Sequence, residues 1–460
     1  MNEENNENFD IMIIGGGQAG TALAQVLAKA GKRVALAERK HLGGSCVNFG
    51  CTPTKAALAS ARVAHLARRG ADFGITIPEV KVDFAAVLGR AREIALSSRK
   101  GLQESFSSDN PKLLRGHARL EGRNTGGFEV RIDGRLVTAK EVVLNTGTRS
   151  FIPPVDGLKD LPFIDAENWL DRDDLPEHLI IIGGGYIGLE MSQFYRRMGS
   201  RVTVVEGASQ VAAHEDGEVA SALQSLLEGE GVDVMLNSKV KRVTAAEGGV
   251  TVTIEGEDGT GAIAASHLFV ATGRKPNTDD LGLDAASVKV SDQGIIEVNE
   301  RLATSVKGIW AAGDIRGGPM FTHTSWDDHR VLESQLLGDG ARTTRRIVPY
   351  AVFTDPELGR AGMTESEARK AGKKFKVARY EMKKNGKATE IGETEGFIKV
   401  VVDAQTGHIL GAAVLAAEGA ELVHCYIDLM NAGAPYTVIR DALHIHPTLA
   451  EAIQSVLKDL

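Results

Sequence analysis

The sequence predicts an α/β protein of several domains, and three observations support this prediction. Residues 9–38 and 179–206 repeat one pattern: a short apolar strand, a glycine-rich turn, a helical stretch and a second strand. From about residue 347 the pattern changes to strands, FIKVVVD and ILGAAVL, followed by a helix near 420–432. A chain of 460 residues also exceeds what one hydrophobic core fills, so we expect two to four domains.

Composition and charge narrow the class of protein. Hydrophobic residues make up 43% and charged residues 25% of the chain, which is ordinary for a soluble globular protein. The formal net charge of −8 argues against nucleic acid as a partner. No apolar run is long enough to span a membrane, and the acidic N-terminus does not resemble a secretory signal. We therefore expect a cytoplasmic protein with neither a nucleic-acid nor a membrane partner.

The first repeat carries the features of a dinucleotide site. The strand Ile11–Ile14 runs into Gly15-x-Gly17-x-x-Gly20, and a second strand, over residues 33–37, ends at Glu38. Gly15 allows the tight turn, Gly17 lets the backbone approach a pyrophosphate, and Gly20 lets the helix pack close to the strand. The helix N-terminus faces the phosphate charge, and Glu38 is placed to accept hydrogen bonds from a ribose.

The second repeat has the same features at Gly183, Gly185, Gly188 and Glu206, with 23 residues from first glycine to acid in both copies. A glycine-rich turn alone is weak evidence, but here strand, helix, second strand and acid are all in place. Two such units in one chain indicate two dinucleotides with electrons passing between them. Glu206 suits the free 2′-hydroxyl of NAD, and residues 207–210 supply no arginine for a 2′-phosphate, so NADH is the expected donor over NADPH.

Between and after the repeats, helices are predicted over residues 56–110 and short strands over 112–147 and 232–273. The two strand regions end in the similar loops VVLNTGT and LFVATGR. Another strand, near 308–312, ends at Gly313-Asp314, where an acid at a strand's carboxyl end can meet a ligand or be an ordinary turn residue.

Two of the three cysteines, Cys46 and Cys51, lie together in GGSCVNFGCTPTK. A zinc site needs a second pair of Cys or His ligands, which the sequence lacks. A structural disulfide closing so short a loop stabilises little in a cytosolic protein. A redox pair fits best, because a helix start at Cys51 stabilises a thiolate. The third cysteine, Cys425, lies in a helical stretch and is expected to be buried.

These motifs resemble the flavin-dependent pyridine nucleotide-disulfide oxidoreductases, in the branch that contains dihydrolipoyl dehydrogenase, glutathione reductase and mercuric reductase. The resemblance covers nearly the whole chain and rests on both glycine motifs, the C-x4-C pair with Lys55, ATGRKPN, AAGD and the C-terminal HPT. It implies two Rossmann-like dinucleotide-binding domains and a C-terminal α+β dimerisation domain. The implied division is an FAD-binding domain at 1–150 and 276–346, an NAD-binding domain at 151–275 and a dimerisation domain at 347–460.

The resemblance also implies roles for individual residues. FAD belongs to the first unit and the nicotinamide dinucleotide to the second. Lys55 and Glu190 match an ion pair near the flavin, Asp314 matches the residue that holds the flavin ribitol, and Tyr186 matches a tyrosine that covers the nicotinamide pocket. The segment under the flavin and the remaining cofactor contacts are implied at Met320, Thr322, His323, Ala118, Thr146, Gly147, Thr148 and Gly273.

In the implied mechanism NADH reduces FAD, and the flavin opens a Cys46–Cys51 disulfide through Cys51. Cys46 is then the nucleophile toward the substrate. His446, oriented by Glu451, is the acid–base group and serves the cysteines of a second subunit, so a homodimer is expected.

The end of the chain, VLKDL, lacks the cysteine pair that delivers metal in mercuric reductases. Thr52-Pro53-Thr54 and the segment 322–328 also differ from the usual dihydrolipoyl dehydrogenase pattern. The leading hypothesis is a reductase of a small disulfide such as lipoamide, without a metal site. The alternatives are a metal-ion or oxidant reductase and a non-catalytic NADH-sensing flavoprotein. The electron acceptor, the physiological direction and membership of a larger complex do not follow from the sequence.

Overall fold

The computed structural model describes residues 7–257 and 259–460. The first part of the chain folds around a sheet with two long helices after the cysteine pair. Its strands are β1 (Glu7–Ile14), β2 (Val34–Glu38), β3 (Lys112–Arg115), β4 (Ala118–Asn124), β5 (Gly127–Ile132), β6 (Arg135–Leu144) and β7 (Thr148–Ser150). Its helices are α1 (Gln18–Lys29), α2 (Gly44–Asn48), α3 (Cys51–Arg68) and α4 (Phe84–Glu104), with a 3-10 turn at Gly70–Phe73.

A second sheet and a small antiparallel sheet follow. The strands are β8 (Ile164–Asp165), β9 (His178–Ile182), β10 (Arg201–Val205), β11 (Val232–Met235), β12 (Lys239–Ala246), β13 (Gly249–Gly256), β14 (Gly259–Ala265), β15 (His267–Val270) and β16 (Arg274–Pro276). The helices are α5 (Tyr186–Met198) and α6 (Gly217–Gly229), with 3-10 turns at Leu158–Asp160 and Trp169–Asp171.

The chain then returns to the first sheet. Strand β17 (Ile309–Ala311) pairs in parallel with the end of β6 and leads through a 3-10 turn, Gly313–Arg316, into α7 (Thr322–Leu336). The central strands of that sheet are parallel in the order β3-β2-β1-β6-β17. This return places Asp314 at the carboxyl end of the sheet, beside the first glycine-rich turn.

The last part of the chain is an antiparallel sheet in the order β18-β19-β22-β21-β20. Its strands are β18 (Tyr350–Val352), β19 (Glu357–Gly362), β20 (Phe375–Glu381), β21 (Phe397–Asp403) and β22 (Ile409–Ala416). The helices are α8 (Glu365–Lys370), α9 (Gly386–Glu390), α10 (Gly419–Leu422), α11 (His424–Asn431), α12 (Thr437–Arg440) and α13 (Glu451–Ser455), and a 3-10 turn lies at Met382–Lys384.

Burial explains why these segments form these elements. Strands β1 and β9 are buried on both faces, as in parallel sheets covered by helices, which accounts for their continuous apolar runs. One core cluster joins α3 and α4 to the second sheet and to the C-terminal sheet, with Trp169, Phe194 and Tyr195 among its largest members. The three parts of the chain therefore pack on one another around a common core.

The helices predicted within residues 56–110 are confirmed as α3 and α4, with the 3-10 turn and irregular chain between them. Two local expectations need correction. The single helix near 420–432 is divided at Val423 into α10 and α11. Cys425 was expected to be buried, but it is exposed. The buried side of α11 is formed by Tyr426 and Leu429, and Cys425 lies on the other side.

Candidate functional site

A cavity of about 900 Å³ runs along the first glycine-rich turn, past both cysteines and up to the C-terminal sheet. Its volume lies at the upper end of the range typical of cofactor and ligand pockets, roughly 300–1,000 Å³. The cavity gathers most of the side chains and glycines that the sequence indicated, although they are widely separated along the chain. Those lining it are Gly15, Gly17, Glu38, Cys46, Cys51, Lys55, Ala118, Thr146, Gly147, Thr148, Tyr186, Glu190, Asp314, Met320, Thr322 and His323.

The first glycine-rich turn has the shape that a dinucleotide requires. Gly15 has a φ of +106°, and a Cβ there would lie 2.3 Å from the carbonyl oxygen of Asn145. A Cβ on Gly20 would lie 2.2 Å from the oxygen of Gly15, so the helix and strand can approach only because both residues are glycine. Glu38 accepts hydrogen bonds from the backbone N–H of Gly16 (2.8 Å) and of Lys40 (2.6 Å). These residues fit a dinucleotide at the N-terminus of α1.

The second turn repeats this geometry. Gly183 has a φ of +108°, and a Cβ on Gly188 would lie 2.0 Å from the oxygen of Gly183. Gly185 caps α5. The carboxylate of Glu206 accepts the backbone N–H of Gly184 at 2.6 Å and that of Ala208 at 2.7 Å. Glu206 stands outside the lining of the large cavity, as does Gly273, whose carbonyl accepts the N–H of Phe151 at 2.9 Å.

The two cysteines are free thiols, and Cys51 is the first residue of α3. A hydrogen bond with Cys46 lowers the pKa of Cys51 to about 6, with further lowering from Thr322 and the charge of Lys55. The same hydrogen bond, together with burial, raises the pKa of Cys46. The site therefore favours a thiolate at Cys51 beside a protonated Cys46.

Lys55 and Glu190 form an ion pair, with Nζ and Oε2 at 2.8 Å, and the Glu190 side chain is only 8% exposed. The other oxygen of Glu190 accepts the backbone N–H of Phe353 at 2.9 Å. The Lys55 ammonium also lies 4.3 Å from the centre of the Phe353 ring. Lys55, one helical turn after Cys51 on α3, is thus held against Glu190 of α5.

Asp314 lines the same cavity and forms a polar cluster with Thr148 and Arg274. Thr148 donates its hydroxyl to Asp314 Oδ2 at 2.9 Å, and Arg274 donates to the Thr148 hydroxyl at 2.6 Å. Thr146 turns away to donate to the carbonyl of Asn277 at 2.8 Å. One carboxylate oxygen of Asp314 has no protein donor among the hydrogen bonds of the described residues and can meet a cofactor hydroxyl.

Tyr186 belongs to a network that the sequence did not indicate. Its hydroxyl and that of Tyr350 both donate to one oxygen of Glu215, at 2.9 and 2.6 Å. The second oxygen of this fully buried carboxylate lies 3.1 Å from Arg360 Nε. Burial and the Glu215 charge raise the pKa of both phenols, that of Tyr350 to about 12. The rings of Tyr186 and Tyr350 stack at 5.5 Å.

Other contributors also went unpredicted. Asn145 accepts the N–H of Gly20 at 2.9 Å and donates to the carbonyl of Ala312 at 2.8 Å, so it joins the glycine turn to β17. Its place at the end of β6 was the signal that could have identified it. Nothing in the sequence indicated Glu215 or Tyr350, because their contacts join segments far apart in the chain.

His446 and Glu451 pair with each other away from the cavity. The Nδ1 atom of His446 lies 3.1 Å from Glu451 Oε1, and the His446 side chain is 78% exposed. Hydrogen bonds from Thr448 and His446 lower the pKa of Glu451. The neighbouring Leu443 and Ile445 are strongly exposed. Within one chain this pair therefore does not reach Cys46, and its surroundings are an apolar surface.

Within residues 7–257 and 259–460, no cluster of three or more His, Cys, Asp or Glu side chains is arranged to hold a metal ion. In the same residues, no helix has both the length and the apolar character needed to cross a bilayer.

Comparisons with known proteins agree with this architecture. The family model for pyridine nucleotide-disulphide oxidoreductases matches residues 9–328, and the model for their dimerisation domain matches residues 348–457. The probable pyridine nucleotide-disulfide oxidoreductase RclA of Escherichia coli is 35% identical over 97% of this chain and 98% of its own. A dihydrolipoyl dehydrogenase of Cupriavidus necator is 34% identical over 97% of both chains.

Solved structures give the same result. The Cu(II) complex of the HOCl-induced flavoprotein disulfide reductase RclA from E. coli matches with a TM-score of 0.88 and 34% identity, covering 97% of this chain and 99% of that one. LpdA from Mycobacterium tuberculosis matches with a TM-score of 0.89 and 25% identity, over 98% of both chains. With two nucleotide units, a cysteine pair in the cavity between them and a dimerisation domain, this chain belongs to the FAD-dependent pyridine nucleotide-disulfide oxidoreductases.

Proposed function

We propose that this enzyme transfers electrons from NADH to a small disulfide such as lipoamide, through FAD and the Cys46–Cys51 pair. The observation that carries the proposal is the position of both cysteines in the wall of the cavity that the first nucleotide unit opens. FAD, when bound there, accepts a hydride from the nicotinamide and passes an electron pair to the disulfide. Overall, NADH, a proton and the substrate disulfide give NAD and two thiols.

The two cysteines have different roles in the proposed reaction. Cys51 faces Lys55 and Thr322, and its lowered pKa suits the sulfur that remains a thiolate after the internal disulfide opens. Cys46, with its raised pKa, holds the proton until a base removes it and the sulfur attacks the substrate disulfide. The attack breaks the substrate S–S bond and forms a mixed disulfide at Cys46, and the first leaving sulfur takes the proton that the base removed. The Cys51 thiolate then attacks the Cys46 sulfur, restores the internal disulfide and releases the second substrate sulfur, which takes a proton from solvent.

The base for Cys46 comes from a second copy of this chain. His446 and Glu451 hold each other in a ready orientation, but they are exposed and lie outside their own chain's cavity. The Glu451 carboxylate orients the ring and stabilises its charged form, which is what a thiol acid–base group needs. The dimerisation domain supports the pairing of two subunits. The proposed division into domains at 1–150, 151–275, 276–346 and 347–460 places this pair in the last of them.

Steady-state turnover tests the proposal. We expect purified, FAD-loaded protein to oxidise NADH when lipoamide is added, and Cys46→Ser to lose at least about a thousandfold in rate because the attacking sulfur is gone. Flavin reduction by NADH without any disulfide turnover would show that the acceptor is wrong. Equal rates in wild type and Cys46→Ser would exclude the cysteine relay, and biological activity retained in that inactive variant would favour the NADH-sensing alternative.

The preference for NADH over NADPH follows from Glu206. Both carboxylate oxygens are held by backbone N–H groups at the end of β10, so the negative charge is fixed where a 2′-phosphate would lie. We expect kcat/KM for NADH to exceed that for NADPH by at least about tenfold, and Glu206→Gln to reduce the ratio. An unchanged ratio in Glu206→Gln would remove this residue from the selectivity.

A second candidate acceptor is a metal ion or an oxidant. The E. coli structure solved as a Cu(II) complex of an HOCl-induced reductase, 34% identical to this chain, favours it. The same reduced cysteine pair would deliver the electrons to this acceptor. The proposed location of the reaction is the cytoplasm. Turnover with Cu(II) or mercuric ion that exceeds turnover with lipoamide, and that is lost in Cys46→Ser, would establish this alternative.

A further inference from the structure

Thr322 joins the segment expected to lie under the flavin to the cysteine pair through a direct side-chain contact. Its Oγ1 lies 3.1 Å from the sulfur of Cys51, although the two residues are 271 positions apart. The Thr322 side chain therefore lies against the sulfur at which the site favours a thiolate.

The helix that bears Thr322 is firmly held. Thr322 is the first residue of α7, and Asp328, fully buried in the same helix, accepts the N–H of Gly313 at 2.8 Å. Arg316 and Arg346 donate to the same carboxylate at 2.8 and 2.6 Å. Because a buried carboxylate with three such partners is costly to displace, α7 cannot slide away from Cys51.

The charge state of the sulfur decides the direction of the hydrogen bond. A thiol and a hydroxyl can each donate to the other, but a thiolate can only accept, so the Thr322 proton must then point at the sulfur. Cys51 is also the first residue of α3, and Thr322 is the first residue of α7. Two helix N-termini thus converge on this sulfur, and the Thr322 hydroxyl lies within hydrogen-bond distance of it, in addition to the Cys46 thiol.

We propose that Thr322 is the positioning residue that keeps Cys51 a thiolate whenever the cysteine pair is reduced. Reduction of the disulfide by two electrons and one proton then gives a Cys46 thiol and a Cys51 thiolate, with the proton on Cys46. The hydride of NADH carries two electrons and one proton, so the reduction needs no further proton. The inference rests on the proposed function only for the role of the thiolate in turnover. The charge of Cys51 itself can be measured without substrate.

The test compares Thr322→Val, which keeps the shape and removes the hydroxyl, with Thr322→Ser, which keeps the hydroxyl. Each holoenzyme is reduced anaerobically with one equivalent of dithionite, which supplies the two electrons that open the disulfide and none for the flavin. It is then alkylated with iodoacetamide across the pH range, and Cys51 is followed by tandem mass spectrometry. We expect Cys51 of wild type and Thr322→Ser to titrate near pH 6. In Thr322→Val the thiolate fraction at fixed pH below the midpoint falls by about tenfold to a hundredfold, the range expected for one charge-assisted hydrogen bond.

Before alkylation, the long-wavelength absorbance of the Cys51 thiolate beside the oxidised flavin gives a second titration of the same samples. FAD content and melting temperature of each variant are measured first, and if Thr322→Val does not retain FAD, Thr322→Ala replaces it. Identical Cys51 titrations in wild type and the hydroxyl-free variant overturn the inference, as does failure of serine to restore the wild-type value. An inactive wild type that still shows the valine shift would instead contradict the proposed function alone.

Discussion

At the scale of the residue, a few buried charged side chains organise the site. Glu190 is nearly buried, and its carboxylate is satisfied by Lys55 on one side and a backbone N–H on the other. Such a pair adds little stability compared with apolar residues, but removal of one partner leaves the other charge unpaired and is costly. Its value here is that it fixes two charges beside Cys51.

Replacement of Lys55 by methionine therefore has a predictable cost. Lys55→Met leaves Glu190 buried without its cation, and we expect the thermal midpoint of the holoenzyme to fall by about 2–5 °C. The double variant Lys55→Met/Glu190→Gln should recover most of the loss, since the amide can still accept the Phe353 N–H. A midpoint equal to that of wild type in Lys55→Met would show that Glu190 is not charged in the folded protein.

At the scale of the element, α7 connects the cofactor side of the cavity to the cysteines. Asp328 ties it to the Gly313–Arg316 turn that carries Asp314, while Thr322 at its N-terminus reaches Cys51. The helix thus sets the separation between the residue expected to hold the ribitol and the sulfur expected to face the flavin.

Loss of the Asp328 charge should weaken cofactor binding without removing any cofactor contact. Asp328→Asn leaves Arg316 without its buried counter-charge, leaves Arg346 with Asp327 alone, and loosens the turn around Asp314. We expect the Kd for FAD, measured by fluorescence on apoprotein refilled with cofactor, to rise by about tenfold or more. The matched control is Glu333→Gln, an acidic residue of the same helix that lies outside its buried side. Equal Kd values for the two variants would contradict the role given to Asp328.

The elements also show what a sequence can predict. Each strand–glycine–helix–strand unit is set by spacing within about thirty residues, so its glycines and terminal acids could be read directly. Lys55 and Glu190, by contrast, were paired only through a family resemblance. Tyr350 meets Glu215 and Tyr186 because the C-terminal sheet packs against the second nucleotide unit, and no local pattern predicts such a contact.

At the scale of the whole molecule, buried cations hold the nicotinamide-binding part against the C-terminal sheet. Lys399, whose side chain is 4% exposed, contacts Asp216 and Glu218 at the start of α6 and Glu365 at the start of α8. Arg360, a buried residue of β19 in the C-terminal sheet, pairs in the same way with Glu215 of the nicotinamide-binding part. The wall that carries Tyr186 is therefore fixed to the domain that is expected to form the dimer.

This attachment should weaken in acid. Burial acts to raise the pKa of Asp216, but backbone N–H groups of Ser366 and Glu365 and the Lys399 charge lower it overall. The hydrogen bond from Lys399 lowers the pKa of Glu365. Because both carboxyl pKa values are lower in the folded state, their stabilisation is complete above the unfolded values near 4 and is lost as the pH falls through the folded ones.

A variant without Lys399 tests this pH dependence of stability. Lys399→Met should lower the thermal midpoint at pH 7, and the difference from wild type should shrink as the pH falls below about 4. Differential scanning fluorimetry across this range measures both, with Lys376→Met, an exposed lysine of the same sheet, as the control. A difference that stays constant with pH would mean that the carboxylates do not sense Lys399.

The relay from NADH to the cysteines is tested most directly by counting thiols. The oxidised holoenzyme is mixed anaerobically with one equivalent of NADH, quenched in acid with a maleimide, and weighed intact. The account predicts two new labelled thiols per subunit, at Cys46 and Cys51, with Cys425 labelled before and after as an internal reference. Loss of the NADH absorbance and bleaching of the flavin without any new thiol would contradict it.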